Sequence, residues 1–450
     1  MSKTACLSLV FALSISGLAS AAEPPVSREN AYAVLAPAAK SKDGNTQGNP
    51  EGLIGKVVTG YQGWFRAEGD GTGLRFSHYE KNGKFEPGSC TIDLWPDMGE
   101  FGDDEKFATP FRHADGSVAH VFSSIHPKTA DRHFSWMAEY GIDGAFVQRF
   151  ATHGAKERRD NRRLKAENQK LMMCRDAANK HNRSWVLMYD LSGLADDDFE
   201  RLAEDWKNLR TKMKLGTDPN DSAYLHVNGK PLVAIWGVGF NDDRKYGLEK
   251  AEWFIRLLKH NPEWGGMSIM LGTPYYWREQ FRDTTNDPKL HSVLKLADVI
   301  SPWAVGRYGI EPDAMTKIID HQRADLAWCD KEKIDYLPVL FPGFSWRNLY
   351  GEEEKGIPRQ GGEFLWRQFQ ATAAAGSKSA YLAMFDEIDE GTVLFKCTND
   401  PPVGTSKFGT YEGLPSDHYL WLSGEGGRLL RGEVPSRALE KMKKAAVPAN

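Results

Sequence analysis

Eight short, almost continuously apolar runs recur along the chain, and longer amphipathic stretches separate them. Runs of this kind are typical of strands that are buried on both faces of a parallel sheet. They end at Phe65, Phe150, Gly193, Phe240, Trp277, Tyr308, Trp346 and Thr392. The pattern therefore predicts eight buried strands in regular alternation with helices.

The stretches between these runs have the period of amphipathic helices. In residues 196–213, apolar side chains recur at intervals of three and four positions, and three aspartates at the start favour a helix N-terminus. Similar patterns cover residues 131–140, 248–258, 315–326 and 362–375. The alternation predicts an α/β fold, a (β/α)8 TIM barrel with long loops on its C-terminal face. A doubly wound sheet is the alternative, and the count of eight favours the barrel.

Two long segments interrupt this alternation. Residues 66–125 follow the first predicted strand and residues 393–417 follow the eighth, so both would extend from the rim where barrel active sites lie. The first and eighth strands are neighbours in a closed barrel, which would allow a disulfide between Cys90 and Cys397. Cys174 and Cys329 lie on predicted helices, where buried free thiols are an equally good interpretation.

The two ends of the chain differ in composition from the barrel. One lysine, an apolar run and small residues predict a Sec-type signal peptide over residues 1–22, cleaved near Ala21 or Ala22. The composition of residues 23–50 predicts a linker or flexible arm. We expect the barrel over residues 51–435 and a C-terminal tail over 436–450. The signal predicts a periplasmic or secreted protein, and no later segment is apolar enough to span a membrane.

Composition narrows the function further. The 450 residues carry 57 Lys and Arg against 61 Asp and Glu, and this net charge of −4 argues against nucleic-acid binding. The chain also contains 14 Trp. Such a surplus is typical of walls that stack on sugar rings, although large cores use Trp as well. We expect a carbohydrate partner and a monomer, with no nucleic acid and no membrane span.

Candidate site residues follow from the strand ends, because the C-terminal ends of barrel strands supply the chemistry. The predicted substrate-binding residues are Tyr61, Trp64, Arg149, Asp190, Trp236, Tyr276, Trp303, Arg307, Trp346 and Asp389. Trp277 is a further candidate for stacking on a sugar. A capping role for Asp190 and structural salt bridges for Arg149 and Arg307 are equally good interpretations. Core packing explains each single Trp equally well.

The eighth run ends in the sequence MFDEIDEGT, residues 384–392. Glu387 and Glu390 stand three positions apart at the end of the last strand, where an acid/base pair would act on a glycosidic bond. If alternation places Glu387 inward, it faces the barrel axis and Glu390 lies on the loop above. The same acids could instead bind a metal or form a solvated loop. Their place on the last strand favours catalysis, and we expect no cofactor or metal.

Two other sets of polar residues, a group of histidines and an acidic stretch, match no metal-binding motif. Histidines cluster in the early loop and first helix, at His78, His113, His120, His126 and His133. Their spacing matches no zinc motif, which favours surface or core roles. The acidic stretch over residues 93–104 lacks the pattern of a calcium-binding EF-hand, and we interpret it as a solvated loop.

The segment from Glu387 to Thr392 resembles the Glu-x-x-Glu-Gly-Thr motif on the last strand of glycoside hydrolase family 99 endo-α-mannosidases. Sequences at residues 60–65, 133–150 and 228–237 support a wider similarity to family 71/99-like proteins, over about residues 60–396. The family typically has an aromatic residue and a histidine between the two glutamates. This chain has Ile388 and Asp389 at those positions.

The resemblance implies a retaining α-glycosidase that works without a metal. Carried over, Glu387 is the base that takes the proton of the sugar 2-hydroxyl, which then forms a 1,2-anhydro sugar. Glu390 is the acid that protonates the leaving oxygen and then the base that activates water. The expected substrates are α-linked, mannan-like polysaccharides or oligosaccharides. A retaining xylosidase or arabinosidase with a covalent Glu nucleophile and a non-catalytic carbohydrate-binding barrel are the alternatives.

Overall fold

Eight parallel strands alternate with helices along the chain. The computed structural model describes residues 24–39 and 50–443, so the predicted signal peptide lies outside the described residues. The strands are β1 (Val57–Tyr61), β2 (Gly144–Phe150), β3 (Ser184–Asp190), β4 (Lys230–Trp236), β5 (Ser268–Pro274), β6 (Val299–Trp303), β7 (Asp335–Tyr336 and Val339–Leu340) and β8 (Ala380–Leu382). Each of the eight predicted apolar runs contains one of them.

The interrupted strand β7 closes the sheet into a barrel. Its first segment pairs with β6, and its second segment pairs with β8. Hydrogen bonds continue across the interruption, since Leu337 N donates to Ile300 O at 2.9 Å and Tyr381 N donates to Pro338 O at 2.9 Å. Strand β8 in turn pairs with β1, with Val57 opposite Ala380. The predicted (β/α)8 barrel is therefore confirmed.

A helix follows each strand and covers the outside of the barrel. The helices are α1 (Pro127–Glu139), α2 (Arg162–Lys180), α3 (Phe199–Asn208), α4 (Leu248–His260), α5 (Leu290–Leu294), α6 (Ala314–Glu332), α7 (Glu363–Ala375) and α8 (His418–Leu430). All five predicted helical stretches are present. The stretch over 196–213 is an α-helix only in its centre, because a 3-10 turn precedes α3 and a π-helical turn follows it.

Strand residues divide alternately between two cores. The barrel interior contains Val58, Phe146, Val186, Met188, Ala234, Met270 and Tyr381. The layer between the barrel and its helices contains Val57, Tyr61, Val147, Tyr189, Ile235 and most of the helical apolar side chains. Successive residues of a strand point to opposite faces, so neighbours in sequence belong to different cores. This alternation decides which strand-end residues reach the centre of the barrel.

The two long rim segments meet beside β1 and β8, as the barrel prediction requires. The first contains an antiparallel hairpin, Phe107–Arg112 with Val118–Val121. Single β-bridges join it to the second segment, at Pro96 with Cys397 and at Leu94 with Gly409. The disulfide that this neighbourhood would allow is not formed, since Cys90 and Cys397 are both buried free thiols. Cys174 and Cys329 are also buried free thiols.

Both predicted terminal extensions pack on the barrel where they are described. Tyr32 lies in a short helix, Arg28–Tyr32, and is 3% exposed, with its hydroxyl bonded to Asp205. Helix α2 binds the same segment, because Asn168 donates to Ala31 O at 2.8 Å. At the other end, Leu439 is buried in the helix Leu439–Lys443. Residues 24–39 therefore differ from the flexible arm that their composition predicted, because buried apolar and polar contacts hold them.

Six of the tryptophans are core residues. Their side chains are almost completely buried: Trp95, Trp136, Trp185, Trp206, Trp277 and Trp366. Trp277 packs edge-to-face on Trp328 of α6, outside the barrel, so it is not a stacking platform. None of the helices described in residues 24–39 and 50–443 has the length and apolarity needed to cross a membrane.

Arg149 forms a buried ion pair behind the sheet. Its guanidinium donates to both carboxylate oxygens of Asp205 on α3, with Nε–Oδ2 at 2.8 Å, and neither side chain is exposed. Tyr189 donates to the same carboxylate at 2.7 Å. The prediction that Arg149 binds substrate is wrong, because its position on β2 points it outward to the helices and not into the barrel.

This pair allows a prediction about stability. Arg149→Met should lower the free energy of unfolding by about 3–5 kcal/mol, because it leaves the Asp205 carboxylate buried without its cation. The exposed pair of Arg201 and Glu157 supplies the control, and Arg201→Met should have little effect. Urea denaturation measures both variants. Equal, small losses for the two would contradict a stabilising role of the buried pair.

Candidate active site

The acidic segment begins where β8 loses its regular geometry. Phe385 N donates to Gly60 O at 2.8 Å, so the chain still runs beside β1 after the strand ends. Phe385 nevertheless packs outward, on Tyr61 and His133. The strict alternation that would place Ala383, Phe385 and Glu387 on one side therefore does not hold, and local contacts decide where Glu387 lies.

Asp386 fastens this segment to the end of β1. Its carboxylate accepts from Gln62 N at 2.8 Å and from Gly63 N at 2.7 Å, and its side chain is fully buried. Because these two backbone donors are fixed by β1, Asp386 sets the path of the chain just before Glu387.

Glu387 is held by two side-chain donors. Gln62 Nε2 donates to Oε1 at 2.7 Å, and Thr392 Oγ1 donates to Oε2 at 2.6 Å. Gln62 shares the inward parity of Val58, so Glu387 lies at the rim end of the barrel interior. The carboxyl is 4% exposed. Both oxygens are thus oriented before any substrate arrives.

Glu390 lies on the loop above, beside the chain that follows β7. Its backbone carbonyl accepts from Ser345 N at 2.9 Å, and its side chain is partly exposed. Trp346 is half-buried next to it and packs edge-to-face on Tyr350, with ring centroids 5.0 Å apart. Of the two glutamates, Glu390 is the more accessible to a ligand.

Asp93 anchors the loop that carries Trp346. Its carboxylate accepts from Ser345 Oγ at 2.6 Å, Arg347 N at 2.9 Å and Asn348 N at 2.8 Å. The side chain is buried, so the interpretation of residues 93–104 as a solvated loop is wrong at this position. The first rim segment therefore positions an aromatic wall of the site.

Asp389 is a third buried carboxyl in the segment. Its Oδ2 lies 3.6 Å from His78 Nδ1, and its Oδ1 is buried without a hydrogen-bond partner. His78 stacks on Trp64 with ring centroids 4.2 Å apart, and Trp64 stacks on Phe150. The sequence interpretation assigned His78 no site role. The structure brings it to the predicted site residues Trp64 and Asp389.

Burial raises the pKa of all four carboxyls in this segment. The pKa rises to about 6 for Asp386, to about 7 for Glu390 and to about 8 for Asp389, and well above its ordinary value for Glu387. The charges of Glu390 and Asp389 add to the rise at Glu387, whereas the hydrogen bonds from Thr392 and Gln62 oppose it. Because Glu387 and Glu390 repel each other, the two carboxyls titrate as a coupled pair and do not both ionise near neutral pH.

The raised pKa of Asp389 predicts a pH-dependent cost in stability. The folded chain holds a proton there between the ordinary pKa of 3.8 and about 8, so the stability contributed by the protonated form is lost as the pH rises through this window. Asp389→Asn should therefore raise the Tm by several degrees at about pH 8 and much less at about pH 4. Thermal unfolding at both pH values measures this. The exposed Asp103→Asn is the control, and a gain that is equal at both pH values would contradict the account.

Asp190 and Trp236 form the side of the site that β3 and β4 contribute. Asp190 is buried and accepts from Gln148 Nε2 at 2.8 Å and from Ser192 N at 2.8 Å. Burial raises the pKa of Asp190. Trp236 is half-buried, and the guanidinium of Arg244 lies 5.1 Å from its ring centroid. The hydrogen bond from Ser192 N fits the capping role of Asp190. The hydrogen bond from Gln148 Nε2 directs the carboxylate of Asp190 into the barrel.

Trp303, Tyr276 and Arg307 lie farther round the rim. Trp303 is half-buried and packs edge-to-face on Trp236, with centroids 5.7 Å apart. Tyr276 and Arg307 line a cavity of about 400 Å³ after β5 and β6. Arg307 also pairs with Asp283, Nε to Oδ2 at 2.5 Å, so the structural salt bridge is present. Four half-buried tryptophans, Trp64, Trp236, Trp303 and Trp346, thus remain at strand ends.

Tyr61 does not belong to this rim. Its side chain is fully buried, and its hydroxyl lies 3.0 Å from His133 Nδ1 on α1. Tyr61 is adjacent to Gln62 in β1 and therefore points to the opposite face. The prediction that Tyr61 binds substrate is wrong for this reason, and Gln62 is the residue that reaches the acids. Within residues 24–39 and 50–443, no three His, Cys, Asp or Glu side chains are arranged to hold a metal ion.

Comparison with known proteins supports the fold. No family model matches the sequence, and no curated protein matches it. Two solved structures of the family 99 endo-α-mannosidase from Bacteroides thetaiotaomicron, one in complex with BIS-TRIS-propane, are similar, with TM-scores of 0.59 and 0.57. The sequence identities are 13% and 14%, and both comparisons cover 85% of this chain and 99% of the other. The chain therefore shares the barrel fold of these two structures.

Proposed function

We propose that the chain is a glycoside hydrolase that cleaves α-linked glycosides in polysaccharides or oligosaccharides with retention of configuration. One observation carries the proposal: two mutually repelling glutamates, Glu387 buried and Glu390 partly exposed, follow the last strand of a barrel whose fold is similar to that of an endo-α-mannosidase. Retaining and inverting glycosidases both need one protonated and one ionised carboxyl at the scissile bond. A pair that shares one proton near neutral pH meets this need.

In the proposed reaction, Glu387 takes the proton of the sugar 2-hydroxyl. The oxygen then attacks the anomeric carbon, so that a bond forms between O2 and C1 while the bond from C1 to the leaving oxygen breaks. Glu390 gives its proton to that leaving oxygen. In the second half, Glu390 takes a proton from water, the water oxygen attacks C1 while the bond from C1 to O2 breaks, and Glu387 returns its proton to O2. Atoms and charges balance, and the chemistry uses no metal.

The contacts of the two glutamates suit these roles. Glu387 accepts hydrogen bonds at both oxygens, which fix its direction and oppose the rise in its pKa that burial and the neighbouring acids cause. Glu390 is more exposed and lies beside Trp346, where a sugar leaving group would stack. Trp64, Trp236 and Trp303 would bind further rings. Asp190 and Asp389 would bond sugar hydroxyls, with Asp389 donating in its protonated form.

Two parts of the proposal concern the setting of the protein and not the site. The start of the sequence supports export to the periplasm or the medium through a Sec-type signal. We further propose that the exported protein acts as a monomer. Size-exclusion chromatography with light scattering, on protein recovered from the periplasm or medium, tests both.

Activity on defined polysaccharides tests the proposed function directly. The mature protein is incubated with α-mannans, α-glucans, arabinans and xylans, and the released products are sized. We expect reducing sugar from at least one α-linked substrate, with α-mannan the first candidate. Binding to a polysaccharide without any release would show a carbohydrate-binding barrel and would overturn the proposal.

A fluorosugar separates the two retaining routes. A 2-deoxy-2-fluoro glycoside lacks the 2-hydroxyl, so the 1,2-anhydro route leaves the protein unlabelled. A covalent Glu nucleophile would instead be trapped as an ester on Glu387 or Glu390. Intact-protein mass spectrometry distinguishes these outcomes, and a stable adduct would overturn the proposed role of Glu387 as a base.

A further inference from the structure

Lys170 on α2 is a buried cation whose three N–H donors are all used. Its Nζ donates to Glu167 Oε2 at 2.7 Å, to Gln62 O at 2.8 Å and to Gln148 O at 2.6 Å. The side chain is 1% exposed. Burying an ammonium group costs free energy unless hydrogen-bond partners and an opposite charge compensate for it. Because Lys170 is buried, it contributes neither solubility nor surface charge, and its contacts indicate a role inside the protein.

The two carbonyls that Lys170 binds belong to residues whose side chains reach the site. Gln62, which follows β1, donates from Nε2 to Glu387 at 2.7 Å. Gln148, near the end of β2, donates from Nε2 to Asp190 at 2.8 Å. One ammonium therefore fixes the backbone of two neighbouring strand ends, and each of these presents an amide to a different carboxyl of the site.

The backbone at Gly63 is shaped to admit this lysine. Gly63 has φ +56°, and a Cβ placed there would lie 2.4 Å from Lys170 Cδ. No side chain fits at that distance, and the positive φ is one that glycine adopts without strain. Gly63 also donates its N–H to Asp386 at 2.7 Å. The turn after β1 thus holds the lysine on one side and the acidic segment on the other.

The charged surroundings of Lys170 link it to the same segment. The titratable groups that act on it or feel its charge are Glu167, Arg66, Cys174, His153, His78 and Asp386. Arg66 also contacts Glu167, at 3.4 Å, so Glu167 is shared between two cations. The positive charge of Lys170 favours the ionised form of Asp386, which clamps the chain before Glu387.

We infer that Lys170 is a positioning residue for the acid/base pair: it holds Gln62 so that the amide can bind Glu387. The inference rests on the proposed function and deepens it. Lys170 itself touches neither glutamate and acts through Gln62 and the β1 turn. A lysine with a merely structural role would stabilise the fold and leave the protonation of Glu387 unchanged.

Lys170→Met tests the inference by removing the charge and the three donors while keeping the side-chain length. We expect kcat to fall by about ten-fold to a hundred-fold with KM little changed. The substitution disturbs the geometry of Glu387 and Glu390 but leaves the residues that bind the sugar in place. The pH profile should move to higher pH, because Glu387 loses the hydrogen bond that lowers its pKa. Gln62→Leu should give the same shift, and the double variant should be no worse than the poorer single.

Lys259→Met is the matched control. Lys259 on α4 also donates to a backbone carbonyl, Leu296 O at 2.8 Å, and to a carboxylate, Asp298 at 2.8 Å, just before β6 at the opposite end of the barrel. It should lower stability without moving the pH profile. If Lys170→Met does not fold, Glu167→Gln/Lys170→Met removes both buried charges together and takes its place in every comparison.

A measurement that does not depend on enzymatic activity tests the role of Lys170 separately from the proposed function. Infrared titration of the protonated carboxyl band, assigned by its loss in Glu387→Gln, reports the pKa of Glu387 directly. We expect that pKa to rise in Lys170→Met and in Gln62→Leu but not in Lys259→Met. An unchanged Glu387 titration, or additive losses of the two single variants, would overturn the inference even if the wild-type chain hydrolyses sugars. Inactivity of the wild-type chain on every substrate, with the shift present, would overturn only the proposed function.

Discussion

Glu390→Gln should lower hydrolysis of natural glycosides by about 10³-fold, while activated aryl glycosides lose less than about ten-fold. A sugar leaving group needs a proton as its bond breaks, and glutamine has none to give. A nitrophenolate leaves without protonation, so its departure does not depend on the acid. Parallel kcat/KM measurements on a natural oligosaccharide and on the aryl glycoside of the same sugar give the two losses.

The pH profile provides a second part of this result. The pKa of Glu390 is raised to about 7 and that of Glu387 well above its ordinary value, so the form in which the pair holds one proton is lost as the pH rises past the upper of the two. The wild-type kcat/KM should therefore fall on the alkaline side of neutral pH, and this basic limb should disappear for aryl glycosides in Glu390→Gln. Glu425→Gln on α8 is the control and should leave both substrates and the profile unchanged. Equal losses on both substrates would contradict the assignment of Glu390 as the acid.

Glu387→Gln should abolish hydrolysis of both substrate classes, with a loss of at least about 10³-fold in each. The base acts on the 2-hydroxyl, and that step is required whichever group leaves. Glutamine keeps the shape of Glu387 and can still meet Thr392, so a large loss reports the missing charge and not a cavity. Steady-state rates on the same two substrates measure it.

Thermal unfolding controls for the fold of this variant. Burial and the charges of Glu390 and Asp389 destabilise the ionised form of Glu387. Replacing this carboxyl with an amide should therefore raise the Tm near neutral pH and not lower it. A variant that is more stable but inactive fits a catalytic Glu387. Retention of activity on either class would contradict the role of Glu387 as base, and a large drop in Tm would show that the loss is structural.

The barrel and its acidic pair were predictable because their signals are local. Continuous apolar runs are typical of strands that are buried on both faces. Few folds are compatible with eight such strands in alternation with helices. Glu387 and Glu390 lie at the end of the last run, so their place at the rim can be predicted without any long-range contact. The same argument located Trp64, Trp236, Trp303 and Trp346.

The errors arise at positions where one residue of register decides the outcome. Arg149 and Tyr61 stand next to Gln148 and Gln62, and in each pair the glutamine points into the barrel while its neighbour faces the helices. Strand ends were predictable to within a residue or two, but the face was not. The roles of Lys170 and Asp93 depend on contacts between distant segments, for which no local pattern exists.

Calorimetric binding and product release, measured for the wild-type chain and for Glu387→Gln/Glu390→Gln on the best substrate of the panel, separate catalysis by the two glutamates from sugar binding. We predict that the double variant binds the sugar about as tightly as the wild-type chain and releases no reducing sugar, whereas the wild-type chain hydrolyses it. Release of sugar by the double variant at the wild-type rate would show that the two glutamates are not the catalytic pair.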